Sequence, residues 1–314
     1  MNLSVNFCEI EFPNPTVLAS GYLGVTGASL ANCVKHGCGG VTAKSLFIDE
    51  RPGHPNPTVL TYPGGIINAV GLCGEGIKEA KHEFEVYVKK CPNNPLIGSV
   101  AGKNVKEIVA VTEIMDTYPV DMIELNFSCP NVDDEMGRPI ACDPRMTADA
   151  VKEIRKVTKK PISVKLSPNV VNIGIIAKSA ENAGADAITA INTVGPGMLI
   201  DIYSRRPILA NKVGGVGGMG IKPIAVRCVY DIYKNVKIPI IATGGIITGK
   251  DAIEMLMAGG SLLGIGSALA YHDMKAFSLI TNKIREFMED EGFTDIADLV
   301  GLAHKEVIDP TKNV

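Results

Sequence analysis

The string Asn126-Phe127-Ser128-Cys129-Pro130-Asn131 sets a thiol, a hydroxyl and two amides within six residues. Free cysteine titrates near pH 8.5, so a modest shift makes it a base at neutral pH. The residues before it, Met122 to Leu125, form an apolar run of the kind that builds a short buried strand. Pro130 has no backbone N–H to give a sheet, so the strand stops near Phe127. The thiol then lies in a loop at the C-terminal end of a strand, which is where parallel α/β proteins place ligands and chemistry. A cysteine beside a proline can also be a small buried hydrophobe. Asn126 and Asn131 argue against that here, because buried amides need partners.

Two lysines and three glycine-rich turns add to the chemistry. Lys44 and Lys165 each fall near the end of an apolar strand, where an ammonium without a partner is costly to bury. A fixed positive charge there suits a group that gains electrons, such as the pyrimidine side of a reduced flavin. Gly214 to Gly218, Gly244-Gly245 and Gly264-Ile265-Gly266-Ser267 come late in the chain. Backbone without side chains can approach a phosphate closely, and barrels commonly seat phosphates in the loops after strands seven and eight. A phosphate-bearing cofactor or substrate is therefore expected.

The chain around these residues repeats one unit. Short apolar stretches end in polar residues at 16–20, 40–45, 95–100, 122–127, 161–166, 187–193, 239–245 and 262–267. Between them lie segments with apolar positions three and four apart, among them 105–118, 148–158, 171–183, 224–236 and 249–258. Strand and helix in alternation predict a closed (β/α)8 barrel, a TIM barrel, as one domain over residues 1–314. An open doubly wound sheet would show Gly-x-Gly-x-x-Gly after an early strand, and none stands there. Residues 3–12 read as a short N-terminal β-hairpin that plugs one end of the barrel. Two long loops, 47–74 with four prolines and 196–222 rich in glycine, follow strands and so belong to the C-terminal face.

Composition bounds the partners. The 314 residues carry 31 basic and 34 acidic side chains, a formal net charge of −3 with no basic run to track a nucleic acid. The first residues show neither a secretory leader nor a membrane anchor, and a cytoplasmic protein is expected. The eight cysteines include no Cys-x-x-Cys pair, so neither zinc nor an iron–sulfur cluster is expected on this chain.

The string 126–131, together with Lys44-Ser45, Asn68-Ala69-Val70-Gly71-Leu72, Lys165-Leu166-Ser167-Pro168, Ile191-Asn192-Thr193 and Gly244-Gly245, resembles the class 1 dihydroorotate dehydrogenases of pyrimidine synthesis. The match runs nearly end to end and in order. Within class 1, residues 192–201 and 214–223 look most like the NAD-linked form, 1B. The resemblance implies an FMN-binding catalytic chain that works with a second chain bearing FAD and a [2Fe–2S] cluster. A homodimer, or a dimer of such two-chain units, is the assembly it implies.

In that family dihydroorotate loses a proton from C5 and a hydride from C6, the hydride going to flavin N5. The resemblance assigns the base to Cys129. It assigns substrate binding to Lys44, Asn68, Ala69, Val70, Gly71, Leu72, Asn126, Asn192 and Thr193, with Asn131 a further contact. For FMN it implies Ser20, Lys44, Ser45, Asn126, Lys165, Ile191, Gly218, Gly244, Gly245, Gly266 and Ser267. Ser99 departs from the pattern, since relatives commonly carry asparagine there. The polar stretch 132–145 suits a loop that closes over substrate. Rival readings are a fumarate-linked class 1A enzyme, a flavin barrel acting on another pyrimidine, a non-redox lyase or isomerase of a phosphorylated metabolite, and a docking subunit without catalysis. Protein colour separates the flavin readings from the non-redox one, and copurification of an iron–sulfur flavoprotein separates 1B from 1A.

Overall fold

In a computed structural model, residues 1–127 and 140–305 are described. The chain opens with β1 (Val5–Phe7) and β2 (Ile10–Phe12), an antiparallel hairpin turning at Cys8 and Glu9, both at positive φ. Positive φ at both turn positions matches the twist of the flanking strands. Then come β3 (Thr16–Leu18), α1 (Gly27–Lys35), β4 (Gly40–Thr42), β5 (Val59–Tyr62), β6 (Gly65–Asn68), α2 (Ile77–Lys90), β7 (Leu96–Val100) and α3 (Val105–Asp116). β8 (Met122–Asn126), α4 (Pro144–Arg155), β9 (Ile162–Leu166), α5 (Ile173–Asn182), β10 (Ala187–Ala190), β11 (Val194–Gly197), β12 (Ile200–Asp201), β13 (Arg206–Pro207) and β14 (Gly214–Gly217) follow. The chain continues through α6 (Lys222–Asn235), β15 (Ile240–Thr243), α7 (Gly249–Ala258), β16 (Leu262–Ile265), α8 (Ala268–His272) and α9 (Lys275–Glu291).

Eight parallel strands close a barrel in the order β3, β4, β7, β8, β9, β10, β15, β16 and back to β3. Side chains alternate along each strand, so every second residue faces inward. The inward residues near the strand starts are apolar: Val17, Ile97, Met122, Ala187, Ile241 and Leu262 pack into one cluster with Phe7 and Phe12. Those two rings are fully buried and meet edge to face at 6.2 Å. The hairpin thus seals the bottom of the barrel. The outward residues of the same strands, such as Leu18, Val41, Ile123, Val164 and Ile188, join the apolar faces of the surrounding helices in the main core.

Sequence pattern and structure part company at the two long loops. The first carries β5 and β6 and the second, with the two residues before it, carries β11 and β14, and these pair as a four-stranded antiparallel sheet, with Asn68 opposite Gly215 and Ile67 opposite Val216. Ile67, Ala69 and Leu209 form a small separate core there. Among the described residues no helix is long and apolar enough to cross a membrane.

Candidate active site

Two residues further up β7, β8, β10 and β15 the barrel interior turns polar, with Ser99, Glu124, Thr189 and Thr243. Ser99 on β7 sits beside Glu124 on β8, and Asn126 at the end of β8 sits beside Lys165 on β9. The backbone register therefore delivers four polar side chains to one patch beneath the C-terminal mouth. Ser99 Oγ donates to Glu124 Oε1 at 3.1 Å, and Lys165 Nζ lies 3.7 Å from the same oxygen. All three side chains are buried, Glu124 with 2 % of its surface exposed. Ser45 joins them, 2.8 Å from Ser99 Oγ and 3.2 Å from Ser20 Oγ, and accepts from Asn126 Nδ2 at 3.0 Å.

Above this patch lies a cavity of about 500 Å³, within the range of sites that engulf a cofactor or small ligand. Its wall brings together residues from most of the chain. Ser20, Lys44 and Ser45 come from the ends of β3 and β4, Asn126 and Lys165 from β8 and β9, and Ile191, Asn192 and Thr193 from the segment after β10. The antiparallel sheet contributes Asn68, and Val70, Gly71 and Leu72 follow it. Asn68 Nδ2 donates to the Gly215 carbonyl at 3.4 Å, which ties the two long insertions together at the rim. Gly218, Gly244, Gly245, Gly266 and Ser267 supply the remaining wall. Among the described residues, all those tied above to substrate or FMN, save Ala69, line this one cavity. Ala69 is fully buried beside Ile67 and Leu209, so its side chain packs under the sheet instead of facing the cavity. Cys129, Asn131 and the stretch 132–139 lie outside the described residues.

Charge in the wall has one sign. The lining contains Lys44 and Lys165 and no aspartate or glutamate among the described residues. Lys44 Nζ lies 3.4 Å from Cys73 Sγ and, among the described residues, makes no salt bridge. An anionic or electron-rich ligand gains from both cations. Burial holds several other cysteines as thiols: it pushes Cys8 up to about 12, helped by Asp186 and Glu9, and pushes Cys33 and Cys228 up to about 11. Those thiols are poor bases at neutral pH.

Thr243, Ile66, Val59 and Tyr22 also line the cavity and were not singled out by sequence. The Thr243 hydroxyl is buried without a partner among the described residues. The signal for it was available, since it immediately precedes Gly244 on an inward-facing position of β15. Gly264 is needed beside it, because a Cβ there would lie 1.9 Å from Thr243 Oγ1. At Gly245, φ is +72°, and the backbone runs against the start of α6.

Comparison with known proteins agrees with this architecture. The family model described as dihydroorotate dehydrogenase matches residues 2–288. A relative from Methanothermobacter thermautotrophicus is 43 % identical over 302 residues, 96 % of this chain and 98 % of its own length. One from Methanocaldococcus jannaschii is 43 % identical over 305 residues, covering 96 % and 98 %, and one from Pyrococcus furiosus is 42 % identical over 305, covering 97 % and 100 %. Each of the three is named dihydroorotate dehydrogenase B (NAD(+)), catalytic subunit. With a barrel of this topology and a match over nearly its whole length, the chain belongs to the dihydroorotate dehydrogenase family.

Proposed function

We propose that this chain oxidises dihydroorotate to orotate in pyrimidine biosynthesis, acting in the cytoplasm as one FMN-binding barrel over residues 1–314 and passing electrons toward NAD through a partner chain. The observation that carries the reading is one cavity lined by two lysines, no acidic side chain among the described residues, and the glycine turns after β15 and β16. Its residues fit FMN. A 500 Å³ space takes a tricyclic ring with a substrate beside it, and Gly266 is open enough that a Cβ would meet only Ala19, at 3.6 Å. The buried Thr243 hydroxyl gives one further donor beside those turns.

Lys165, Ser45, Ser20, Ile191, Gly218, Gly244, Gly245, Gly266 and Ser267 would hold FMN, with Lys44 and Asn126 shared between cofactor and substrate. FMN, when bound, supplies the acceptor for the hydride from C6 of dihydroorotate. The chain does the rest. Asn68, Asn126 and Asn192 offer amides that both donate to and accept from a ring with amide edges, and Thr193 adds a hydroxyl. Lys44 faces the negative charge of the substrate carboxylate, and backbone at Gly71 and Leu72 frames the same end. Cys129 takes the C5 proton. The partner chain bears FAD and a [2Fe–2S] cluster in this reading, in an assembly of two catalytic and two electron-transfer chains.

Turnover with dihydroorotate against dihydrouracil tests the substrate. Dihydroorotate should be preferred by roughly 10- to 150-fold, because a site built around a cation loses about 1.5–3 kcal/mol when its charged partner is missing. Equal turnover of the two would remove the carboxylate from the account.

A further inference from the structure

Glu124 is buried, ionisable and takes no direct part in the chemistry above, yet several of the polar groups under the cavity connect to it. Its carboxylate meets Lys165 on one strand neighbour and Ser99 on the other. A carboxylate can only accept hydrogen bonds, so the Ser99 hydroxyl must spend its proton on Glu124. Ser99 Oγ then accepts from Ser45, 2.8 Å away. Ser45 Oγ, its proton spent in turn, has lone pairs for the Asn126 amide at 3.0 Å and for Ser20 at 3.2 Å. One negative charge thus orients three hydroxyls in sequence and fixes which end of the Asn126 amide points at Ser45.

We propose that Glu124 is a positioning residue that sets the reduction potential of the bound flavin by partly neutralising Lys165, and sets the donor pattern of the cavity floor through Ser99 and Ser45. The inference rests on the reading that this cavity holds FMN. A reduced flavin carries more negative charge than an oxidised one, so an acidic side chain 3.7 Å from the lysine that faces it opposes reduction. Removing that charge leaves Lys165 uncompensated and favours the reduced form. Glu124→Gln is close to isosteric and still offers Ser99 an acceptor oxygen.

The test is the potential of protein-bound FMN, read spectroscopically at equilibrium with dyes of known potential. Glu124→Gln should bind reduced over oxidised FMN on the order of tenfold more strongly than the wild type does. For a two-electron couple that moves the potential up by about 30 mV. Ser99→Ala, which breaks the hydroxyl chain but leaves the ion pair, should keep the wild-type potential. Should Glu124→Gln not fold, Glu124→Asp draws the charge back by one methylene and should raise the potential by a smaller amount. An unchanged or lowered potential in the glutamate variant that folds overturns the inference, as does a Ser99→Ala shift equal to that of Glu124→Gln. Wild-type protein that takes up no FMN, or whose flavin dihydroorotate does not reduce, overturns the functional reading instead.

Discussion

Replacing Gly245 by alanine puts a methyl group where the start of α6 already stands. The added Cβ would lie 2.6 Å from both Cα and Cβ of Lys222 and 2.7 Å from its backbone nitrogen. These are atoms of a helix start, not the end of a flexible side chain, so relief requires the two backbones to part by about 0.8 Å to reach ordinary contact at 3.4 Å. Alanine at φ +72° adds a left-handed penalty of about 1–2 kcal/mol. Forced overpacking adds about 1–3 kcal/mol, giving a total cost of about 2–5 kcal/mol.

Gly292 provides the control. It caps α9 at φ +76° with nothing within 4 Å of an added Cβ, so Gly292→Ala carries only the conformational part, about 1–2 kcal/mol. In thermal melts, at about 2 °C per kcal/mol for a chain of this size, Gly245→Ala should fall by about 4–10 °C and Gly292→Ala by about 2–4 °C. Because Gly245 also lines the cavity, its displacement should cost roughly one hydrogen bond to bound FMN, about tenfold in affinity by flavin fluorescence titration. Gly292→Ala should leave that affinity unchanged. Equal melting shifts in the two variants, or undiminished FMN affinity in Gly245→Ala, would rule out a backbone clash between Gly245 and the start of α6.

Cys129→Ser should retain FMN while kcat with dihydroorotate falls by roughly 10²–10⁴, since a hydroxyl is a far weaker base than a thiolate; a kcat within threefold of wild type in steady-state assays would reassign the base. At Asp251 burial raises the pKa, but hydrogen bonds from Lys222 and from Thr248, whose capping box starts α7, overcome it and hold the carboxyl below its ordinary value. A depressed carboxylate stabilises the fold above its unfolded pKa, near 3.9, and loses that stability as pH falls through its folded value. Melts from pH 6 down to pH 2 should therefore drop less steeply for Asp251→Asn, already destabilised at pH 6, than for wild type. Parallel curves would contradict the assignment.

The barrel was legible because its signal is local. Each inward and outward alternation, and each helix face, is written within a dozen residues, and the hairpin shows in the alternation over residues 3–12. The antiparallel sheet was not. Its strands are short and carry residues of low strand propensity such as Gly65, Pro196 and Gly217, and β6 finds β14 only across nearly half the chain, a pairing that no local period records. The same holds within the site. Glycine turns and strand-end lysines mark themselves by type, and they do line one cavity. Ala69, read as part of an unbroken binding string, turns its side chain the other way because residues alternate along an extended segment. Glu124 goes unremarked in the sequence as a single polar residue inside a buried strand, and Ser99 shows there only as a departure from the family pattern. What makes Glu124 and Ser99 matter is their side-by-side register, and that exists only once β7, β8 and β9 are paired.

The most direct test of the whole account is rapid anaerobic mixing of the FMN-loaded chain with dihydroorotate while the flavin absorbance near 450 nm is followed. The yellow colour should bleach on the timescale of turnover, with one orotate formed per flavin reduced. A flavin that stays oxidised under excess dihydroorotate, in protein shown to bind it, would contradict the claim that this cavity brings substrate and cofactor together.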